Sequence, residues 1–280
     1  MEADRFGSAP VEWSYSMVQK LLVGGRDVWL KSYSAQPRAR RAINRVWNAV
    51  AGGLGAEPLR SPPSHAGEQA KQVEMRRIGE LRACGVLVPE VLGEGPATLL
   101  LSDIGPSLSS RLRSASGPGE TDDLVHRTVA EVVAAHRQGG YFGQAFARNI
   151  TVAADGRIGF IDFEEDPLEV MPLRDAQARD WVMLAAGVSR YYAGRDDALA
   201  GMLERNRPQV AGDVADEVRK LASRLGFLHG ATRHLGHRAR ALGMAVLSLR
   251  KGFGMLAIGL LIDLLIDGKS DIFNALQSLL

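Results

Sequence analysis

Between Asn149 and Asp162 the chain reads NITVAADGRIGFID, two short β-rich runs joined by AADG. The Asp155-Gly156 pair favours a tight hairpin turn, because such turns need residues that tolerate positive φ. A hairpin here fixes more than local shape, since it brings Asn149 and Asp162 to one mouth. A carboxamide and a carboxylate are hard oxygen donors of the kind Mg²⁺ prefers. Asn and Asp are also ordinary turn residues, so the pair alone leaves the chemistry open.

The upstream sequence adds to it. SMVQKLLV and RDVWLKSY are β-rich runs separated by Gly24 and Gly25, which suit a second hairpin and put Lys31 on a strand. EQAKQVEMRRIGELRACG follows, with Val73, Ile78, Leu81 and Cys84 near helical spacing and Gly85 as its stop, so Glu74 lies inside a helix. LVPEVLGEGPATLLLSDIG then reads as another strand pair turning at Gly93, Gly95 and Pro96. The expected order is strand, strand, helix, strand, strand. Beyond it, a helix is expected from near Thr121 to Gly139 and Gly140, burying Leu124, Val129, Val132 and Val133.

A chain of 280 residues supplies ample core for two lobes, and shifts in composition divide it into a first lobe over 1–102, a second over 103–212 and a tail over 213–280. The formal net charge of +2 calls for neither nucleic acid nor an acidic partner. Cys84 is the sole cysteine, which excludes an internal disulfide and suits a reducing compartment. MEADRFGSAPVEW has no basic stretch leading into an apolar run, so no signal peptide is expected and the cytoplasm is the default location. The histidines and the cysteine make no zinc spacing.

A strand lysine, a helix glutamate, a loop ending in Asn and a downstream Asp, in this order, resemble the protein-kinase-like superfamily. VWLK is similar to its lysine strand, FGQAFARN to its catalytic loop and IDFEED to its metal-binding segment, while Asp180 in ARDWVMLAAG resembles the buried aspartate that braces that loop. The resemblance covers roughly residues 11 to 195. WLKSYSAQPRARRAINRVW and EMRRIGELRACGVLVPEVL bring it nearest to the bacterial lipopolysaccharide-kinase and RIO-like branch.

This resemblance implies an α+β, bilobal, kinase-like fold with a small β-rich first lobe and a mainly helical second one, binding ATP and Mg²⁺. Lys31 paired with Glu74 would orient the ATP phosphates, Asn149 and Asp162 would hold Mg²⁺, and backbone beside Asp103 would meet adenine at the lobe connector. Three departures stand out. Gln144 occupies the place of the catalytic Asp, Phe142 stands where a histidine is common, and no glycine-rich phosphate loop precedes Lys31. Glutamine takes no proton, so a replacement base would come from Glu164, Glu165 or Asp166; alternation along an extended chain favours Glu164 as the companion of Asp162. The same acidic run also reads as a solvated loop.

From Val218 to Ile262 there is no Asp or Glu, while Arg219, Lys220, Arg224, Arg233, Arg238, Arg240, Arg250 and Lys251 are all basic. Leu228, Ala231, Leu235, Ala239, Leu242 and Val246 fall on one helical face, the pattern of a helix lying on an anionic membrane. GFGMLAIGLLIDLLIDG, broken by Asp263 and Asp267, falls short of the roughly 20 apolar residues that a span takes. It suits either the lipid interface or a closing helix packed on the second lobe. Residues 218–266 are thus expected to meet the inner face of the cytoplasmic membrane, near a glycolipid or other membrane-associated acceptor. With little aromatic interleaving, no nucleic acid is expected as partner. Three functions compete: a phosphotransferase, a pseudokinase that binds nucleotide or partners without turnover, and a membrane-bound scaffold.

Overall fold

In a computed structural model, the residues described are 16–33, 44–45, 48–49, 51–53, 55–224 and 248–249. Strands β1 (Ser16–Val23) and β2 (Arg26–Tyr33) form a hairpin. Its turn is Gly24-Gly25, with φ of 57° and 77°, a left-handed pair that side chains resist. β3 (Val91–Gly95) and β4 (Thr98–Ser102) form the second hairpin, and the four strands make an antiparallel sheet in the order β1-β2-β4-β3. Lys31 sits inside this sheet, opposite Val18 on β1 and Leu99 on β4.

Helix α1 (Gly67–Ala83) comes between the hairpins in sequence and buries Ala70, Lys71, Val73, Glu74, Arg77, Ile78 and Leu81. The stripe keeps helical spacing yet carries three charged residues, Lys71, Glu74 and Arg77, so α1 presents both apolar side chains and ions to the interior. Gly85, at φ 81°, ends it. Cys84, just past the last turn, donates Sγ to the Gln138 carbonyl at 3.5 Å and joins this helix end to that of α3.

The remainder is mostly helical. α2 (Leu108–Arg113) is capped by Ser107, whose side chain accepts from the Ser110 amide. α3 (Pro118–Arg137) starts three residues before Thr121, because Pro118 suits a first turn where its missing N–H costs nothing. Leu124, Val129, Val132 and Val133 are buried as expected. β5 (Ile150–Val152) and β6 (Ile158–Phe160) form the anticipated hairpin. α4 (Leu173–Ser189) is buried without a break from Asp175 to Ala185, and α5 (Asp196–Asn206) and α6 (Gly212–Arg224) follow.

One contiguous core joins Tyr33, Leu99 and Leu101 of the sheet to α3, α4 and α6. The fold is therefore mixed α+β, with a small antiparallel sheet toward the N-terminus and helices beyond it.

α6 covers the first part of the acid-free basic stretch. Val218 and Leu221 are buried, Arg219 pairs with Asp216 and Lys220 with Glu217, and Arg224 donates to the Gly55 carbonyl. Leu249 also lies in the core, fully buried. The apolar face expected over 228–246 and the run after Lys251 lie outside the described residues. Among the described residues no helix is long and apolar enough to cross a membrane.

Candidate functional site

The β5–β6 ladder pairs Ile150 with Phe160, and the Ile161 amide donates to the Asn149 carbonyl at 2.9 Å. Asn149 and Asp162 thus flank one hairpin mouth, as its sequence implies. Asp162 has φ 73°, the single left-handed non-glycine among the described residues. Such a conformation costs on the order of 1–3 kcal/mol and persists only where surrounding contacts hold it.

The Lys31 ammonium supplies the main contact. It lies 2.7 Å from Glu74, 2.8 Å from Asp162 and 2.8 Å from Glu164. Strand β2, helix α1 and the segment after β6 therefore converge on one cation. Lys31 is 5% exposed; burial works against its charge, but the carboxylates of Asp162, Glu74 and Glu164 hold its pKa well above the ordinary range. Burial pushes the Glu74 carboxyl up, against the pull of Lys31. Glu74 also accepts from the Tyr33 hydroxyl at 2.6 Å and the Phe163 amide at 3.4 Å. Tyr33 belongs to no motif in the sequence, yet alternation along β2 places it on the face of Lys31.

These groups border a cleft of about 1200 Å³, lined among others by Lys31, Glu74, Asp103, Thr151, Asn149 and Asp162. Asp103 sits beyond β4. Despite partial burial, hydrogen bonds from the Gly105 amide, Lys20 and Trp29 hold its carboxyl below the ordinary range. Lys20 lies 3.0 Å from Asp103 and 5.5 Å from the Trp29 ring centre, so β1, β2 and the connector meet at this end of the cleft. Gly105, at φ 107°, lets the connector run against the hairpin; a Cβ there would stand 2.5 Å from the Val152 carbonyl. The Thr151 hydroxyl is buried with no hydrogen-bond partner among the described residues.

Gln144 belongs to the loop under Asn149. Its carbonyl accepts from Asn149 Nδ2 at 3.2 Å and from the Phe146 amide at 2.8 Å, and the residue is half-buried. Asp180, fully buried on α4, accepts from the Phe142 and Gly143 amides at 2.7 Å each and meets His136 Nε2 at 3.1 Å. That is the bracing position its sequence context suggests. Arg179 beside it donates to the carbonyls of Gly143, Pro58 and Arg60.

Sequence reasoning missed a second hub. Asp166, read with Glu164 and Glu165 as one acidic run, is buried and accepts from Tyr141 at 2.6 Å, Arg76 at 2.7 Å and the Leu168 amide at 2.9 Å. Beside it, Arg77 stacks 3.6 Å from the Tyr141 ring centre and donates to the Tyr141 carbonyl. The three acids have separate partners: Glu164 meets Lys31, Asp166 meets Tyr141 and Arg76, and Glu165 lies in the field of Arg179. Neither a solvated loop nor a single catalytic patch describes them.

The site offers oxygen donors to a cation. Asn149 engages its amide nitrogen below, which leaves Oδ1 as its acceptor, and the Asp162 side chain is 37% exposed. That set fits Mg²⁺, which takes one or two protein oxygens and fills its other positions with water or phosphate. Among the described residues no group of three or more His, Cys, Asp or Glu side chains makes a metal centre by itself. No family model matches the chain, and no curated protein matches it.

Proposed function

We propose that this chain is a kinase-like phosphotransferase that uses ATP and Mg²⁺, with a hydroxyl on a membrane-associated glycolipid as acceptor. The observation that carries the reading is Lys31 held between Glu74 and Asp162 at the border of a cleft that also contains Asn149. In this reading the N-terminal sheet with α1 forms one lobe of a bilobal kinase-like fold and the helical remainder the other.

Lys31 binds phosphate oxygens, Glu74 keeps the ammonium pointed into the cleft, and Tyr33 and the Phe163 amide keep Glu74 in place. Asn149 and Asp162 hold Mg²⁺, which neutralises charge on the phosphates. The Asp180 carboxylate fixes the Phe142–Gly143 backbone, and with it the height of Gln144. The acceptor hydroxyl approaches near Gln144, which orients it by hydrogen bonding but takes no proton. Loss of a general base costs about 10²–10⁴-fold in rate, whereas positioning and electrostatics carry most of phosphoryl transfer. Slow turnover is the consequence. For Glu164 to serve as base, it must first leave Lys31.

Gln144 favours a second reading, a pseudokinase that binds nucleotide without transfer. ATP binding, measured with and without Mg²⁺, tests both readings against a scaffold. Wild type is expected to bind in Mg²⁺, and Lys31→Ala and Asp162→Ala to weaken binding at least about tenfold. Folded wild-type protein without affinity for ATP would leave only the scaffold. Phosphate release or transfer that disappears in Asp162→Ala separates the kinase from the pseudokinase.

A further inference from the structure

We propose that Glu164 is a built-in competitor for the phosphate site, so that nucleotide enters only with, or after, a divalent cation. The inference rests on the phosphotransferase reading and adds an order of binding to it.

One ammonium faces three carboxylates within 2.8 Å, which leaves two formal negative charges in excess where a polyanion would have to dock. Like charges in a partly enclosed cleft repel an entering phosphate chain more strongly than they would in water. The three acids are not equivalent. Glu74 is 1% exposed and is held by Tyr33 and the Phe163 amide, so it stays with Lys31. Asp162 and Glu164 are 37% and 24% exposed and form the accessible side of the cluster.

Phe163 is the pivot between them. Its buried ring and its bonded amide pin the segment, and the carboxylates of Asp162 and Glu164 on either side of it both reach Lys31, at 2.8 Å each. Asp162 has a short side chain with two torsions, on a left-handed backbone. Glu164 has three side-chain torsions and can swing off the ammonium with the backbone at rest. Its carboxylate, 2.8 Å from the ammonium, holds a contact of Lys31 that a phosphate oxygen would have to take over. A divalent cation draws carboxylates away from the ammonium and cancels the excess charge, and both changes open Lys31 to phosphate.

The test measures calorimetric binding of ATP, in EDTA and in Mg²⁺, to wild-type full-length protein and to Glu164→Gln and Glu164→Ala. The two substitutions guard against a fault of either alone, and thermal melts verify folding. Expected are weak binding of metal-free ATP to wild type, a gain on the order of tenfold or more in both variants, and a much smaller difference in Mg²⁺. If all three proteins bind in Mg²⁺ but are equally weak in EDTA, the gate is overturned and the nucleotide site stands. If wild type binds metal-free ATP as well as the variants do, the gate is likewise overturned. If no protein binds ATP under either condition, the gate falls together with the phosphotransferase reading.

Discussion

At the scale of single residues, Asp166 gives the clearest pH prediction. Burial opposes its charge, but hydrogen bonds from Tyr141, Arg76 and the Leu168 amide hold its pKa below the ordinary range. A carboxylate depressed on folding stabilises fully above its unfolded value of about 3.9 and loses that contribution as pH falls toward the folded value. Thermal melts from pH 6 down to pH 2 should show wild type losing stability below about pH 5, with a shallower loss in Asp166→Asn. An equally steep loss in the variant would exclude Asp166 as a source. This hub was illegible in the sequence, because its partners lie 25 and 90 positions away and share no motif with it. Lys31, Glu74 and Asp162 were legible for the opposite reason. Each belongs to a local pattern, a strand, a helix and a hairpin mouth, whose order is itself informative.

At the scale of elements, α1 decides whether Glu74 reaches Lys31. It is held at several points: Arg76 on Asp166, Arg77 on Tyr141, and, just before the helix, His65 Nε2 on Glu169 at 2.8 Å. Arg77 is 1% exposed and uses a planar guanidinium both to stack and to donate. Lysine keeps the charge but neither the plane nor the fork. Arg77→Lys should therefore cost about 1–3 kcal/mol in urea unfolding, whereas a change under 0.5 kcal/mol, the scale of a neutral surface substitution, would show that the clamp contributes little. The sequence revealed α1 through its apolar spacing and its Gly85 stop, but the clamp depends on charged residues on the buried stripe. Periodicity counts such residues as solvent-facing. α3 starts three residues before the expected Thr121, because Pro118 is a helix breaker in the interior but suits the first turn.

At the scale of the whole molecule, the α+β class and the order of its first elements followed from glycine turns and alternating runs. The shared core did not. Alternation says which face of a strand is buried, not that Tyr33, Leu99 and the helices of the second half bury theirs together. The same limit applies to the basic stretch, whose one-sided charge was plain although part of its apolar side is spent on the core at Val218, Leu221 and Leu249. The membrane prediction thus rests on the charges between those anchors. Full-length protein with Arg233, Arg238 and Arg240 changed to Gln should pellet less with anionic vesicles than wild type does, the loss vanishing at high salt, where screening removes the attraction for both. Equal pelleting at low salt would refute it.

The Cys84 contact with the Gln138 carbonyl also has a practical consequence. As the chain's sole thiol, Cys84 accepts one fluorophore or alkylating probe per molecule with no mutagenesis. Because the sulfur bridges the ends of α1 and α3, its rate of modification becomes a clock for their separation. Slower labelling in the presence of ATP would reveal a tightening of the helix that carries Glu74, in a protein otherwise untouched.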